Sequence, residues 1–319
     1  MCHHDKRWVE NTRDRLAENF NLKETGITEI YEDEILGVSA YKTSIKDNTY
    51  TINIYGIVYG PSTLPVKREY LCKDVSKETV ICHKITYNRK RASLNSALKD
   101  GLLNDCLADA VIYLGSKGEL IRKGVKRSLL KIKGDIKTNN SSLFFLSESL
   151  GSKVLRDSLL CNIDKKSIEV INLLSKSSVI YLGANQIPLL NSGNNNECII
   201  PKSFIDTFDK SSDGITGGFD DILNIIKQHK EFNALGIDIP EGISTVISFT
   251  DPNDLLSYEI SNEYGENEVI NVIVSNSNTW FGFIQNPVSA HLGYRRNEDV
   301  INLLKCGMNN LNVTDCMSK

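Results

Sequence analysis

Nowhere in the 319 residues does an apolar run reach the roughly 18 to 20 positions needed to span a bilayer, and the first residues lack the apolar core of a secretory leader. No membrane span is therefore expected. Paired cysteines are missing too: the eight (Cys2, Cys72, Cys82, Cys106, Cys161, Cys198, Cys306, Cys316) lie far apart with no C-x-x-C motif. That spacing reads as free thiols in a reducing compartment, and so as a cytoplasmic protein. A dominant charge is lacking, since 37 Lys and Arg face 40 Asp and Glu. The short Arg89-Lys90-Arg91 cluster reads as solvated, and no interleaving of bases with aromatics marks a nucleic-acid platform, so no nucleic-acid partner is expected. No P-loop or G-x-G-x-x-G follows a strand, which removes the argument for a nucleotide, and no cofactor is expected. There are only five histidines.

What is present describes an ordinary globular chain, 40% hydrophobic and 24% charged, long enough to bury a substantial core. Trp8, Val9, Leu16 and Phe20 among charged residues predict a helix over 8–20. Alternating strands over 37–45 and 49–59 are joined by Lys46-Asp47-Asn48 as a hairpin. From Gly60-Pro61-Ser62 to about residue 90 the pattern is irregular and reads as loop. Leu94, Leu98, Leu102 and Leu103 then predict a helix over 92–107.

From there strand and helix alternate: strand 110–114, helix 119–131, strand 143–146, helix 152–160, strand 179–182. That order predicts an α/β fold, a mostly parallel twisted sheet with helices on both faces, in a single domain over 1–319. The alternation breaks between 185 and 241, where Asn191-Ser192-Gly193-Asn194-Asn195-Asn196 is a loop signature and 220–235 reads as a helix. This stretch is expected to be a cap or insertion above the sheet, lying between the strand at 179–182 and the strand at 245–250. A strand at 269–274, a closing helix at 297–304 and a polar, mobile tail at 310–319 complete the reading.

The densest chemical signal is Leu143-Phe144-Phe145-Leu146, a buried-strand run, followed at once by Ser147-Glu148-Ser149-Leu150-Gly151 and a helical pattern with Val154, Leu155, Ser158 and Leu159 on one face. A serine at the apex of such a turn has its hydroxyl exposed above the sheet, provided the residues two before and two after it are small, as Ser147 and Gly151 are. The alternative is an ordinary strand-to-helix turn with Ser149 as a cap. S-x-S-x-G resembles the G-x-S-x-G nucleophile elbow of the α/β-hydrolase superfamily, the serine esterases and lipases. The resemblance implies the α/β-hydrolase fold and a base and an acid after the serine in the order Ser, Asp or Glu, His.

His3, His4 and His83 precede Ser149, and His229 falls in the expected insertion. His291, in the loop of small and turn-forming residues 286–294 before the closing helix, stands where the family places its base; the alternative is a solvent-exposed loop histidine. Two carboxylates compete for the acid at the end of the strand over 245–250. Asp254-Leu255-Leu256 matches the family pattern of an acid before two aliphatics, with Asp251 as the alternative; either could instead serve a helix start.

The resemblance also implies an oxyanion hole. Leu150 would supply one amide, and the second would come from the loop before the first helix, here Met1 or Cys2, so that the chain reads as beginning inside that loop, without the family's preceding strand and His-Gly. Cys2-His3-His4-Asp5 carries ligand types, but a contiguous run wraps one tetrahedral ion poorly, so no metal is expected. Trp280-Phe281-Gly282-Phe283 could line an acyl pocket or pack the sheet edge. The implied function is a serine hydrolase cleaving an ester, thioester or related acyl bond of a small-molecule substrate. The alternative is a catalytically impaired α/β-hydrolase-fold binding or scaffold protein, motivated by the missing strand and by Ser147 in place of Gly. Neither acyl preference nor oligomeric state is written in the pattern.

Overall fold

The computed structural model describes residues 5–71, 92, 95, 97–115, 117–136, 143–161, 169–170, 173–174, 177–192, 245–260, 269–279 and 285–308. The first helix, α1 (Lys6–Phe20), starts at Asp5, whose carboxylate accepts from the Arg7 amide at 2.9 Å, and stops at Asn21 in the left-handed region. Strands β1 (Lys23–Glu24), β2 (Thr28–Asp33), β3 (Val38–Lys46) and β4 (Thr51–Val58) follow. All pairings are antiparallel, with β3 between β4 on one side and β1 and β2 along the other. The hairpin from β3 to β4 turns where the sequence predicts, because Asp47 Oδ1 accepts from the amides of Thr49 and Tyr50 at 2.6 and 2.9 Å.

Two segments differ from expectation. The stretch after Gly60, read as loop, begins with a helix, α2 (Gly60–Leu71), despite an internal Pro65. Its Lys67 is buried and makes an ion pair at 2.6 Å with Asp109 and a 2.8 Å hydrogen bond to the Asp105 carbonyl. The segment 110–114, read as a strand, is instead part of α3 (Ala108–Leu114), which continues directly from a π-helical stretch, Ala97–Leu107. The burial is helical: Asp109, Ala110 and Tyr113 face inward while Val111 is 64% exposed. A short apolar run is ambiguous between buried strand and buried helix, and the Lys67–Asp109 pair needs the helical face.

After α4 (Gly118–Asp135) come β5 (Leu143–Glu148), α5 (Leu150–Leu160), β6 (Ser177–Gly183), α6 (Ile187–Ser192), β7 (Thr245–Thr250), β8 (Val269–Ile273), α7 (Pro287–Leu292) and α8 (Glu298–Met308). Strands β5 to β8 form a parallel four-stranded sheet in chain order. The chain is thus α/β, but its strands divide between this parallel sheet and the antiparallel sheet of β1 to β4, because a tight hairpin can only return antiparallel.

Alternate residues of β6 and β7 enter opposite cores, which places helices on both faces of the parallel sheet. Ile180, Leu182 and Val246 pack with Val125 and Leu129 of α4 and with Val154 and Leu159 of α5. Val179, Tyr181, Ile247 and Phe249 pack with Val300, Leu303 and Leu304 of α8. The first core also takes in Leu36, Val38 and Tyr59, so α4 joins the two sheets. Gly124 permits that junction: a Cβ there would lie 2.5 Å from Val38 Cγ2.

Among the described residues no helix is long and apolar enough to cross a membrane. The free-thiol reading is overturned where it can be checked, since Cys106, Cys161 and Cys306 are each disulfide-bonded. Wide spacing in sequence does not keep thiols apart once the chain is folded. The expected helix at 220–235, nearly all of the insertion at 185–241, His3, His4, His83, His229, the cluster at 89–91, the aromatics at 280–283 and the tail at 310–319 lie outside the described residues.

Candidate active site

Ser149 sits where β5 turns into α5, with φ 55° and ψ −130°, a backbone conformation few non-glycine residues adopt. Its amide donates to the Gly183 carbonyl of β6 at 2.8 Å, which ties the turn to the neighbouring strand. Ser149 makes no side-chain cap to α5, so the reading of this serine as a helix cap fails. Small flanking residues are required, because a Cβ on Gly151 would stand 3.2 Å from Ser147 Oγ. Ser147 is tolerated there because Gly151 has no side chain.

The Ser149 hydroxyl meets His291 Nε2 at 3.0 Å. His291 Nδ1 lies 2.8 and 2.9 Å from the two carboxylate oxygens of Asp254, and all three side chains belong to buried residues. With Nδ1–H donating to the carboxylate, Nε2 is left to accept the serine proton. The histidine is carried on the short helix α7 rather than in a loop as expected. Asn286 caps that helix by accepting from the Val288 and Ser289 amides at 3.0 and 3.4 Å, and Pro287 occupies its first turn.

Between the two candidate acids the geometry separates the roles. Asp254 faces the imidazole. Asp251 instead holds backbone: its Oδ1 accepts from the Asn253 amide at 2.8 Å and its Oδ2 from the Asn276 amide at 2.7 Å. Tyr294 links them, accepting from the Asp251 amide at 2.8 Å and donating to Asp254 Oδ2 at 3.1 Å. Burial, and then the nearby Asp254 charge, push the Tyr294 phenol far above its ordinary range, so it stays a donor.

Several contributors carry no sequence signature. Gln186, fully buried just after β6, donates from Nε2 to Ser149 Oγ at 2.8 Å. Its only clue in the sequence is position at the carboxyl end of a parallel strand, where such sheets place their sites. Arg295 pairs with Glu148, next to the serine, at 2.9 Å, bonds Thr12 Oγ1 at 2.8 Å and lies over the Trp8 ring, so α1 is fastened to the turn. Leu102, Cys106 and Leu256, with Leu189, Val288 and Leu292 against them, form an apolar cluster beside both the acid and the base.

Of the expected oxyanion donors, Leu150 follows Ser149 as the first residue of α5, where helical amides have no intrahelical acceptor. Met1 and Cys2 lie outside the described residues, as do the other ligand types of the Cys2-His3-His4 run. Among the described residues no group of three or more His, Cys, Asp and Glu is placed to hold a metal ion. Compared with protein-family models, with curated proteins and with solved structures, the chain gives no significant match.

Proposed function

We propose that the chain is a serine hydrolase of α/β-hydrolase type, cleaving an ester, thioester or related acyl bond of a small molecule. The observation that carries this reading is the continuous line Ser149 Oγ, His291 Nε2, His291 Nδ1, Asp254, with links of 3.0 and 2.8 Å. Nucleophile, base and orienting acid are each within hydrogen-bond reach, which is the geometric criterion for an activated serine.

The chemistry follows from those contacts. His291 accepts the Ser149 proton as Oγ bonds to the acyl carbon, and the carbonyl electron pair moves onto oxygen. Asp254 holds the imidazole tautomer and offsets the charge it gains. Collapse expels the alcohol or thiol, which takes the proton from His291. Water, deprotonated by His291 in turn, then releases the acid and restores Ser149. In this reading the amide of Leu150, the first residue of α5, donates to the oxyanion.

The test is hydrolysis of a panel of p-nitrophenyl acyl esters and acyl thioesters by the wild-type protein beside Ser149→Ala. Turnover lost in the variant supports the reading; a folded wild-type protein that turns over no member of the panel, or a variant that matches it, counts against it. The compartment proposed differs from the cytoplasm expected from spacing, because three disulfide-bonded cysteines favour an oxidising environment.

A further inference from the structure

We propose that Gln186 is a catalytic residue, supplying a side-chain donor to the oxyanion formed at Ser149; the inference rests on the hydrolase reading above. Three observations point to it. Gln186 Nε2 is 2.8 Å from Ser149 Oγ, the reacting atom. Its Oε1 is buried and has no hydrogen-bond partner among the described residues, so the carboxamide is not held in place by a saturated structural network. The turn that delivers it is strained, since Ala184 has φ 50° without being glycine.

That strain is held from outside. Asn185 accepts at its carbonyl from the Tyr258 amide at 3.0 Å, donates from Nδ2 to the Tyr258 carbonyl at 3.3 Å, and accepts at Oδ1 from the Ile187 amide at 3.1 Å. The loop bearing Asp254 therefore also clamps the residue before Gln186. Strained turns at the carboxyl ends of β5 and β6 face one nucleophile, one carrying the serine and the other the glutamine.

The direction of the bond follows from the chemistry of the hydroxyl. Ser149 has one proton, which goes to His291 Nε2, so Gln186 must donate. When Oγ bonds to the acyl carbon, the new oxyanion is attached to that same carbon, one bond angle from Oγ, and so within reach of a donor already 2.8 Å from Oγ. A donor aimed there acts where charge develops, alongside the Leu150 amide. The proton balance of the reaction is unchanged, because Gln186 donates a hydrogen bond and transfers no proton.

The experiment compares wild type, Gln186→Ala and the similarly long, donor-free Gln186→Met on the best ester of the panel. It reads kcat, KM, thermal midpoint, and inhibition by a trifluoromethyl ketone matched to that ester, which forms an oxyanion on Ser149. Expected is a fall in kcat of about 10² to 10³ for both variants, with KM within about threefold and inhibitor affinity falling in parallel. The Met variant keeps the side-chain length without adding charge or a donor, so a normal thermal midpoint with lost kcat assigns the loss to the missing donor. Unchanged kcat or unchanged inhibitor affinity in a folded variant overturns the role of Gln186 while leaving the hydrolase reading intact. A wild-type protein that neither turns over nor binds the ketone overturns that reading itself.

Discussion

At the scale of single residues, Asp251 and Asp254 stand three positions apart and do different work. Asp254→Asn removes the carboxylate that orients His291, and kcat is expected to fall about 10⁴-fold while the fold survives. Asp251→Asn presents an amide to the backbone donors of Asn253 and Asn276. It is expected to cost about 1 to 3 kcal/mol of stability in denaturant melts, with a far smaller effect on kcat at a permissive temperature. Equal kinetic losses in both would contradict this division. The three residues in line were legible because each follows a local rule: a small-x-Ser-x-Gly turn, an acid before two aliphatics, and a histidine ahead of the last helix. Gln186 and Tyr294 were not, because what places them is contact between distant segments, which leaves no mark of spacing.

Among the elements, the parallel strands were readable because their apolar runs are short and bounded by polar turns, and the hairpin of β3 and β4 because its alternation is strict. The segment 110–114 was not, since five apolar-rich residues satisfy strand and helix alike, and its helix is decided by Asp109 meeting Lys67 of α2. Lys67→Met leaves a buried carboxylate without its partner and is expected to cost about 3 to 5 kcal/mol, with much of that loss recovered in the double variant Lys67→Met/Asp109→Leu. Chemical denaturation of the three proteins measures it; additive losses would show that the two side chains are not coupled. Gly124→Ala tests how α4 joins the sheets: its Cβ would meet Val38 at 2.5 Å, so a loss of about 1 to 3 kcal/mol is expected, and a stabilised protein would contradict the close approach.

For the molecule as a whole, the largest departure from expectation is covalent. Spacing along the chain says nothing of which thiols meet after folding, so disulfides at Cys106, Cys161 and Cys306 could not be read in advance. Under denaturing conditions these three are expected to resist iodoacetamide until reduced, as peptide mapping would show, and reduction is expected to lower stability by about 2 to 4 kcal/mol for each bond. Their alkylation without reductant would restore the free-thiol reading. This fold brings Ser149, His291 and Asp254 into one line, which is expected to make the serine reactive. The most direct test is reaction of the oxidised, folded protein with a fluorophosphonate probe, followed by peptide mapping beside Ser149→Ala and His291→Ala. One adduct is expected, on Ser149, lost in both variants; a folded wild-type protein that stays unmodified, or is modified elsewhere, would contradict an activated Ser149.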